Sequence, residues 1–337
     1  MNRSKRPRKR KGRTRTGSVG WLAAVVANER GEIFDLEGFA AVGADGPLLT
    51  PLTTAQTTTM PHGSELMFLP DRTPVLMDLS TGTIGPVERN PYSSSERIFP
   101  VAVFNSPGVV LSNTCAYQER PEAGLLPLFS YGAVGWRNGG FRSAAIVVDR
   151  EPRQDLRCMP RDGVVAGVER MRVQLPDNRL ARHLEHCALT YGCPAGKNFF
   201  LARYEAPLPT ARACNARCLG CISLQHDPLL TSSQNRIAFT PTAEEIADVA
   251  LAHIGRVKNS VVSFGQGCEG DPLLAARAIG PAIRRIRAAT AAGTININTN
   301  ASLPHVLAPL LDAGLDSIRV SMNSVREACY HAYFRPR

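Results

Sequence analysis

From Thr242 to Met322 the apolar residues switch repeatedly between a helical period and short continuous runs, and few folds can accommodate that rhythm. Thr242 and Glu245 have the spacing of a capping box, in which each side chain satisfies the other residue's free backbone N–H at a helix start. Ile246, Val249, Ala250, His253, Ile254 and Val257 then recur at helical spacing, and Ser260 to Phe264 reads as a buried strand. Ile279, Ile283 and Ile286 mark a second helix, followed by a strand from Thr294 to Asn298. Leu303 to Asp312 is a third helix, stopped by Gly314, and Asp316 to Met322 a further strand. Asn198 to Tyr204 reads as the strand that begins the series. Parallel neighbours need a crossover, so this order predicts an α/β fold with a parallel sheet covered by helices.

The preceding residues behave differently. From Ser18 to about Asp149 the chain breaks every few residues at Gly or Pro and is rich in Val, Leu, Phe and Thr between breaks. Leu66 to Leu69, Val101 to Phe104 and Ala144 to Val148 are examples of the short strands this predicts. Leu180, Leu184, Cys187 and Ala188 form a helical stripe before the α/β part. With 337 residues the chain is long enough for two cores. The expected division is a basic tail at 1–16, a β-rich domain at 17–195 with a helix near its end, and the α/β portion at 196–337.

The formal charge of +10 suggests nucleic acid until its position is noted. Arg3, Lys5, Arg6, Arg8, Lys9, Arg10, Lys11, Arg13 and Arg15 supply nine positive charges, so the rest of the chain is close to neutral. Such a tail is expected to be disordered, and any nucleic-acid partner would be held through it alone. Without interleaved aromatic residues it has no means of stacking bases. The apolar run Trp21 to Ala27 follows this cationic start as a signal peptide would, but it is short and leads through Gly31 into Ile33 and Phe34, the outline of a hairpin. No stretch approaches the roughly 20 apolar residues of a membrane helix. Nine cysteines without a leader point to a reducing compartment, and the cytoplasm is the expected location.

Residues 214 to 221 read Cys-Asn-Ala-Arg-Cys-Leu-Gly-Cys, placing Cys214, Cys218 and Cys221 within one short loop. Zinc sites usually close with four ligands in repeated pairs, and here there is no second pair nearby. An iron–sulfur cubane held by three cysteines keeps one iron open to another ligand. The small residues Ala213, Asn215, Ala216 and Gly220 would allow backbone N–H groups close to the sulfides. Three unrelated buried cysteines are a poor alternative, because Asn215 and Arg217 are interleaved with them.

This loop resembles the hallmark Cys-x3-Cys-x2-Cys of the radical S-adenosylmethionine (SAM) superfamily, which follows the first strand of a (βα) barrel. Gly265 to Leu274 (Gly-Gln-Gly-Cys-Glu-Gly-Asp-Pro-Leu-Leu) is similar to that family's Gly-Gly-Glu-Pro turn, with Gly270 and Asp271 at its second Gly and its Glu. Asn298-Thr299-Asn300-Ala301 is similar to the Thr-Asn-Gly turn of the branch containing the enzymes that begin molybdenum-cofactor synthesis, and Ala313 to Ser324 to that branch's run into its fourth strand. The likeness extends over about residues 198 to 337. Two positions depart from it, namely Gly220, where an aromatic residue is common, and Asp271 for the usual glutamate.

The resemblance implies a partial parallel (βα) barrel, truncated after its fourth strand. It implies a [4Fe-4S] cluster on Cys214, Cys218 and Cys221, with SAM chelating the open iron and contacted by Gly270, Asp271 and Ser321, while Thr299 and Asn300 face SAM or the substrate. An electron from a reductant such as flavodoxin or ferredoxin would then cleave SAM to a 5′-deoxyadenosyl radical that abstracts hydrogen from a substrate. Cys268, beside the cofactor turn, is read as a hydrogen-atom donor or a small apolar filler, the latter favoured. Cys187 and Cys193 have His183 and His186 nearby for an auxiliary metal, although the place of Cys187 on the apolar stripe favours a core role. Cys115, Cys158 and Cys329 support no role. The rival readings are a zinc-binding interaction module using the three loop cysteines with His226, and an RNA-modifying radical enzyme recruited by its tail.

Overall fold

The computed structural model describes residues 20–337, so the basic tail at 1–16 lies outside the described residues. Two compact units divide the chain. Among the described residues, the first comprises 20–105 with segments 110–121 and 131–146, and the second 147–337 with segments 106–109 and 122–130.

The first unit is built on a 12-stranded antiparallel sheet. Its hairpin Ala23–Ala27 and Ile33–Asp45 is closed by Gly31, whose φ of 77° is the left-handed conformation that glycine adopts without a Cβ penalty. The short strands expected near Leu66, Val101 and Ala144 are present as Glu65–Phe68, Phe99–Phe104 and Ala145–Val147. Small apolar clusters fill this unit, one of them formed by Val25, Ala27, Val101, Val103 and Val134.

The second unit contains a four-stranded parallel sheet in sequence order: Glu205–Pro207, Val261–Phe264, Thr294–Thr299 and Ser317–Val320. Helices α4 (Ala243–Ile254), α5 (Ala276–Ala289) and α6 (Pro304–Asp312) provide the crossovers. Val262, Phe264, Ile295 and Ile297 pack with Ile246, Val249, Ile279, Ile283 and Leu310 in one buried core, so these helices cover a single face. On the other face a polar ladder runs across the strands: Ser317 Oγ donates to Asn296 at 2.8 Å, and the amides of Asn296 and Asn298 donate to Ser263 Oγ at 2.8 and 3.3 Å. Alternation along each strand separates the two faces, directing the apolar side chains to the helices and the polar ones to the opposite side.

Two expectations are corrected here. Residues 198–200 belong to a helix, α3 (Pro194–Phe200), and the first strand is only Glu205–Pro207. Pro194 at the first helical position presets the backbone, and positive φ at Ala202 and Tyr204 breaks the chain between helix and strand. A short apolar run such as Phe199-Phe200-Leu201 suits either element by pattern alone. The compact units also divide near residue 147 instead of at 195/196. Helices α1 (Arg161–Gln174), α2 (Arg179–Leu189) and α3 contribute Val164, Val168, Leu184 and Phe199 to the core of the parallel sheet. At Gly167 a Cβ would stand 2.1 Å from the Phe200 carbonyl oxygen, a backbone approach only glycine permits. Among the described residues no helix is long and apolar enough to cross a membrane.

Candidate functional site

Parallel strands send their following turns to the same edge of the sheet, and four such turns carry the residues singled out above. The cysteine loop follows the first strand. Gly270 presses on it so closely that a Cβ would sit 1.9 Å from the Ala213 carbonyl oxygen. The Gly270 and Asp271 amides donate to the carbonyls of Ala211 and Ala213 at 2.6 and 3.1 Å, fastening the second turn to the first.

Sequence reasoning overlooked the residue that organises this junction. Glu269 is 4% exposed, and its carboxylate accepts the backbone N–H groups of Thr210 and Ala211 at 2.8 Å and of Gly265 and Gln266 at 2.7 Å. Burial pushes its carboxyl up to about 6, against the lowering effect of these four donors. A lone glutamate between glycines in a tight turn was the available signal. Gly265, at φ 78°, lies against the third strand, where a Cβ would meet the Asn298 carbonyl oxygen at 1.8 Å.

Asp271 is buried and already engaged by protein donors. The Thr299 hydroxyl reaches both its oxygens at 2.8 and 2.9 Å, and the Asn300 and Leu273 amides donate to it at 2.8 and 3.1 Å. It thus joins the second and third turns and caps the short 3₁₀ helix Pro272–Ala275. Asn300 extends the chain of contacts, its side chain donating to Asn215 of the cysteine loop at 2.8 Å. Ser321 is exposed and connects through its backbone, its amide donating to the Thr299 carbonyl at 2.9 Å. Gly270, Asp271, Thr299, Asn300 and Ser321 are therefore connected along one edge of the sheet.

All three loop thiols are partly exposed. Burial raises Cys214 and pushes Cys218 up to about 11, with the neighbouring loop thiols adding to the shift in Cys218. Burial also acts on Cys221, but amide donors from Ser223 and Leu224, the Ser223 hydroxyl and the Arg236 charge outweigh it and lower the thiol. Arg236 lies 3.3 Å from the Cys221 sulfur. Among the described residues, the loop sulfurs do not form one of the groups whose donor atoms all lie within 4.8 Å of one another, the spacing a single ion demands, and neither does His226 with them. A cubane binds each thiolate to a different iron, so its ligands need not share the compact grouping of one ion. Three thiols in one loop and the adjacent guanidinium are a donor set suited to an anionic iron–sulfur cluster.

The C-terminal helix α7 (Glu327–Phe334) covers the loop's outer side. Arg217 and Leu219 donate their amides to the Phe334 and Tyr333 carbonyls at 2.9 and 3.0 Å. Gly220 has a specific reason to lack a side chain, because a Cβ there would lie 2.6 Å from the Tyr333 hydroxyl. An aromatic ring thus stands beside position 220, supplied from elsewhere in the chain.

Cys268 is directed away from these contacts, toward α2. Its sulfur lies 3.4 Å from His183 Nε2, which is also 3.5 Å from the Cys187 sulfur. Cys187 is buried on the apolar stripe, yet its thiol is lowered to about 5 by a hydrogen bond from Cys268, with His183 adding to the effect; Cys268 is raised correspondingly. Cys193 lies at the start of α3, with its amide bonded to the Cys187 carbonyl at 3.0 Å. His186 is exposed and pairs with Thr190 instead. Cys115 is a partly buried thiol of the first unit, while Cys158 and Cys329 are exposed.

Residues 208–337 match the family model of the Radical SAM superfamily. The match begins just after the first strand and includes all four turns. Comparison with curated proteins gives no significant match.

Proposed function

From the match of residues 208–337 to the Radical SAM family model, we propose an enzyme that cleaves SAM reductively and uses the resulting 5′-deoxyadenosyl radical to abstract hydrogen from a substrate. The carrying observation is the continuous set of contacts from Cys214 through Ala213, Gly270, Asp271, Thr299 and Asn300 back to Asn215. Cys214, Cys218 and Cys221 would hold a [4Fe-4S] cluster. When bound and reduced, that cluster supplies the electron for breaking the sulfonium bond, with one iron open to SAM.

The chain's own residues orient and shield. Asp271 already accepts several protein hydrogen bonds, so its role in this reading is to hold the Thr299–Asn300 turn against the cysteine loop while leaving limited capacity for the SAM ammonium group. Tyr333, adjacent to Gly220, offers the aromatic face that the loop lacks for the adenine ring. Ser263, Asn296, Asn298 and Ser317 line the polar face of the sheet, consistent with a partial barrel interior that receives a polar substrate. Arg217 and Arg337 beside the loop suit docking of an acidic one-electron donor of the flavodoxin or ferredoxin type. The rival reading, zinc on the three loop thiols with His226, lacks the compact grouping a single ion needs.

The deciding experiment is anaerobic reconstitution followed by reduction in the presence of SAM. The parent protein is expected to be brown, to hold about four irons per chain by cubane stoichiometry, and to release 5′-deoxyadenosine. Cys214→Ala should abolish both properties. Colourless parent protein containing zinc on these thiols would overturn the reading.

A further inference from the structure

A second cluster of soft donors lies outside the cysteine loop. His183 and Cys187 are four residues apart on α2 and thus project from one face of that helix, while Cys268 approaches from the turn after the second strand of the parallel sheet. His183 Nε2, Cys187 Sγ and Cys268 Sγ all lie within 4.8 Å of one another, a grouping the loop cysteines do not make. Both sulfurs converge on the same imidazole nitrogen, at 3.4 and 3.5 Å. A neutral imidazole nitrogen serves one thiol at a time, as donor or as acceptor, so hydrogen bonding alone explains only half of this arrangement.

We propose that His183, Cys187 and Cys268 form a mononuclear zinc site that braces α2 against the turn bearing Glu269 and Asp271. Tetrahedral zinc, with bonds of about 2.0 Å to nitrogen and about 2.3 Å to sulfur, separates its nitrogen and sulfur ligands by about 3.5 Å, which the observed distances match. A cubane would spread the thiolates farther, and hard cations prefer oxygen. Structural zinc takes four ligands; three are grouped here, and Cys193, whose amide bonds the Cys187 carbonyl at 3.0 Å but whose sulfur lies outside the group, would complete the set by a side-chain movement.

The scaffold is rigid where such a site requires it. Asn178 caps α2 through the Ala181 amide at 3.0 Å and also bonds the Glu245 carbonyl at 2.9 Å, while the Arg179 guanidinium grips the Glu245 carboxylate at 2.7 Å. On the other side, Cys268 adjoins Glu269, whose carboxylate holds the exits of the first two strands, and the Cys268 carbonyl accepts the Ile237 amide at 2.7 Å. The ion would tie the helical layer to the turn nearest the cluster loop. Its role would be structural, because both sulfurs are buried.

Metal analysis of the full-length protein tests this separately from the iron chemistry. The triple variant Cys214→Ala/Cys218→Ala/Cys221→Ala should lose iron yet retain about one zinc per chain, and should take up cobalt with a tetrahedral thiolate spectrum. Cys187→Ser/Cys268→Ser should retain the loop's iron while zinc falls by more than about tenfold, the effect of losing even an outer-shell partner at a metal site. If that double variant fails to fold, alkylation of the parent provides the readout. Zinc should protect Cys187 and Cys268 from iodoacetamide, as followed by mass spectrometry. Absence of zinc and of the cobalt spectrum, zinc that persists in the double variant, unprotected thiols, or a Cys187–Cys268 disulfide in the purified protein would each overturn the proposal.

Discussion

The Thr299 hydroxyl stands 2.8 and 2.9 Å from the two carboxylate oxygens of Asp271, joining turns that follow different strands. Both side chains are buried, and the Thr299 hydroxyl, which also accepts the Ala301 amide at 3.1 Å, has its acceptor in Asp271. Thr299→Val removes the hydroxyl but leaves the Asn300 and Leu273 amides on Asp271, at an expected cost of about 1 to 2 kcal/mol in urea unfolding. Thr299→Ser should cost well under half of that. Asp271→Asn places an amide group among donors and is the more damaging change, with an expected loss of about 2 to 4 kcal/mol. If Thr299→Val and Thr299→Ser proved equally destabilising, methyl packing would be the cause instead of this bond.

Close backbone contact leaves Gly265 and Gly270 of the second turn no room for a side chain. Gly270→Ala would place a methyl 1.9 Å from the Ala213 carbonyl oxygen, and Gly265→Ala one 1.8 Å from that of Asn298 at a positive φ. Both neighbours are backbone and can move only with their turns, so each substitution should cost about 3 kcal/mol or more. Gly85→Ala is the control, because nothing lies within 4 Å of its added Cβ. Iron content after anaerobic reconstitution, together with thermal unfolding, should rank the parent with Gly85→Ala well above the other two. Full iron loading of Gly270→Ala would show that the cluster loop does not depend on this contact.

Features governed by local pattern were legible in the sequence. The capping box at Thr242 and Glu245, the alternation of helices and strands, and the turns at Gly270, Thr299 and Asn300 all have short-range signatures, and each is present. Features created by tertiary approach were hidden. The first strand was misplaced onto residues 198–204 because an apolar run does not reveal that Phe199 and Phe200 are buried from a helix. The position of Cys187 on the α2 stripe correctly indicated burial, but its meeting with Cys268, distant in the chain, required the folded turn. Tyr333 beside Gly220 had no sequence signal at all, since α7 reaches the loop only through tertiary contacts.

His253 provides a pH-dependent stability term. It is fully buried in α4 beside Phe199, and burial lowers its imidazole to about 4 from an ordinary 6.5. Because the folded state resists protonation, this contribution is complete above about pH 6.5 and diminishes as pH falls toward 4, by about 3 kcal/mol in all. Glu269 acts in the opposite sense, since its raised carboxyl favours the folded state at low pH and loses that effect as pH rises from about 4.5 to 6. The informative measurement is therefore the difference between parent and His253→Leu in urea unfolding at pH 7.5 and pH 5, where order-of-magnitude linkage sets the expectation. The parent should lose more stability than the variant on acidification. Equal losses would show that His253 is readily protonated in the folded state.

Gly220 and Tyr333 should behave as a coupled pair. In Gly220→Ala the new methyl would lie 2.6 Å from the Tyr333 hydroxyl but 3.5 Å from the ring carbon bearing it, so the oxygen alone creates the clash. Tyr333 cannot move aside freely, because its carbonyl accepts the Leu219 amide at 3.0 Å and its ring packs edge-on against Phe334 at 5.0 Å between centroids. Gly220→Ala should therefore displace the loop and reduce iron retention, whereas Tyr333→Phe alone should retain the ring and lose little. Combining them removes the obstructing oxygen and leaves an ordinary van der Waals contact. The double variant should recover to near the level of Tyr333→Phe, with a favourable coupling of about 1 kcal/mol between neighbouring sites. Strictly additive effects on unfolding and iron retention would mean that the ring does not stand over the loop, and the adenine-facing role given to Tyr333 would fall with it.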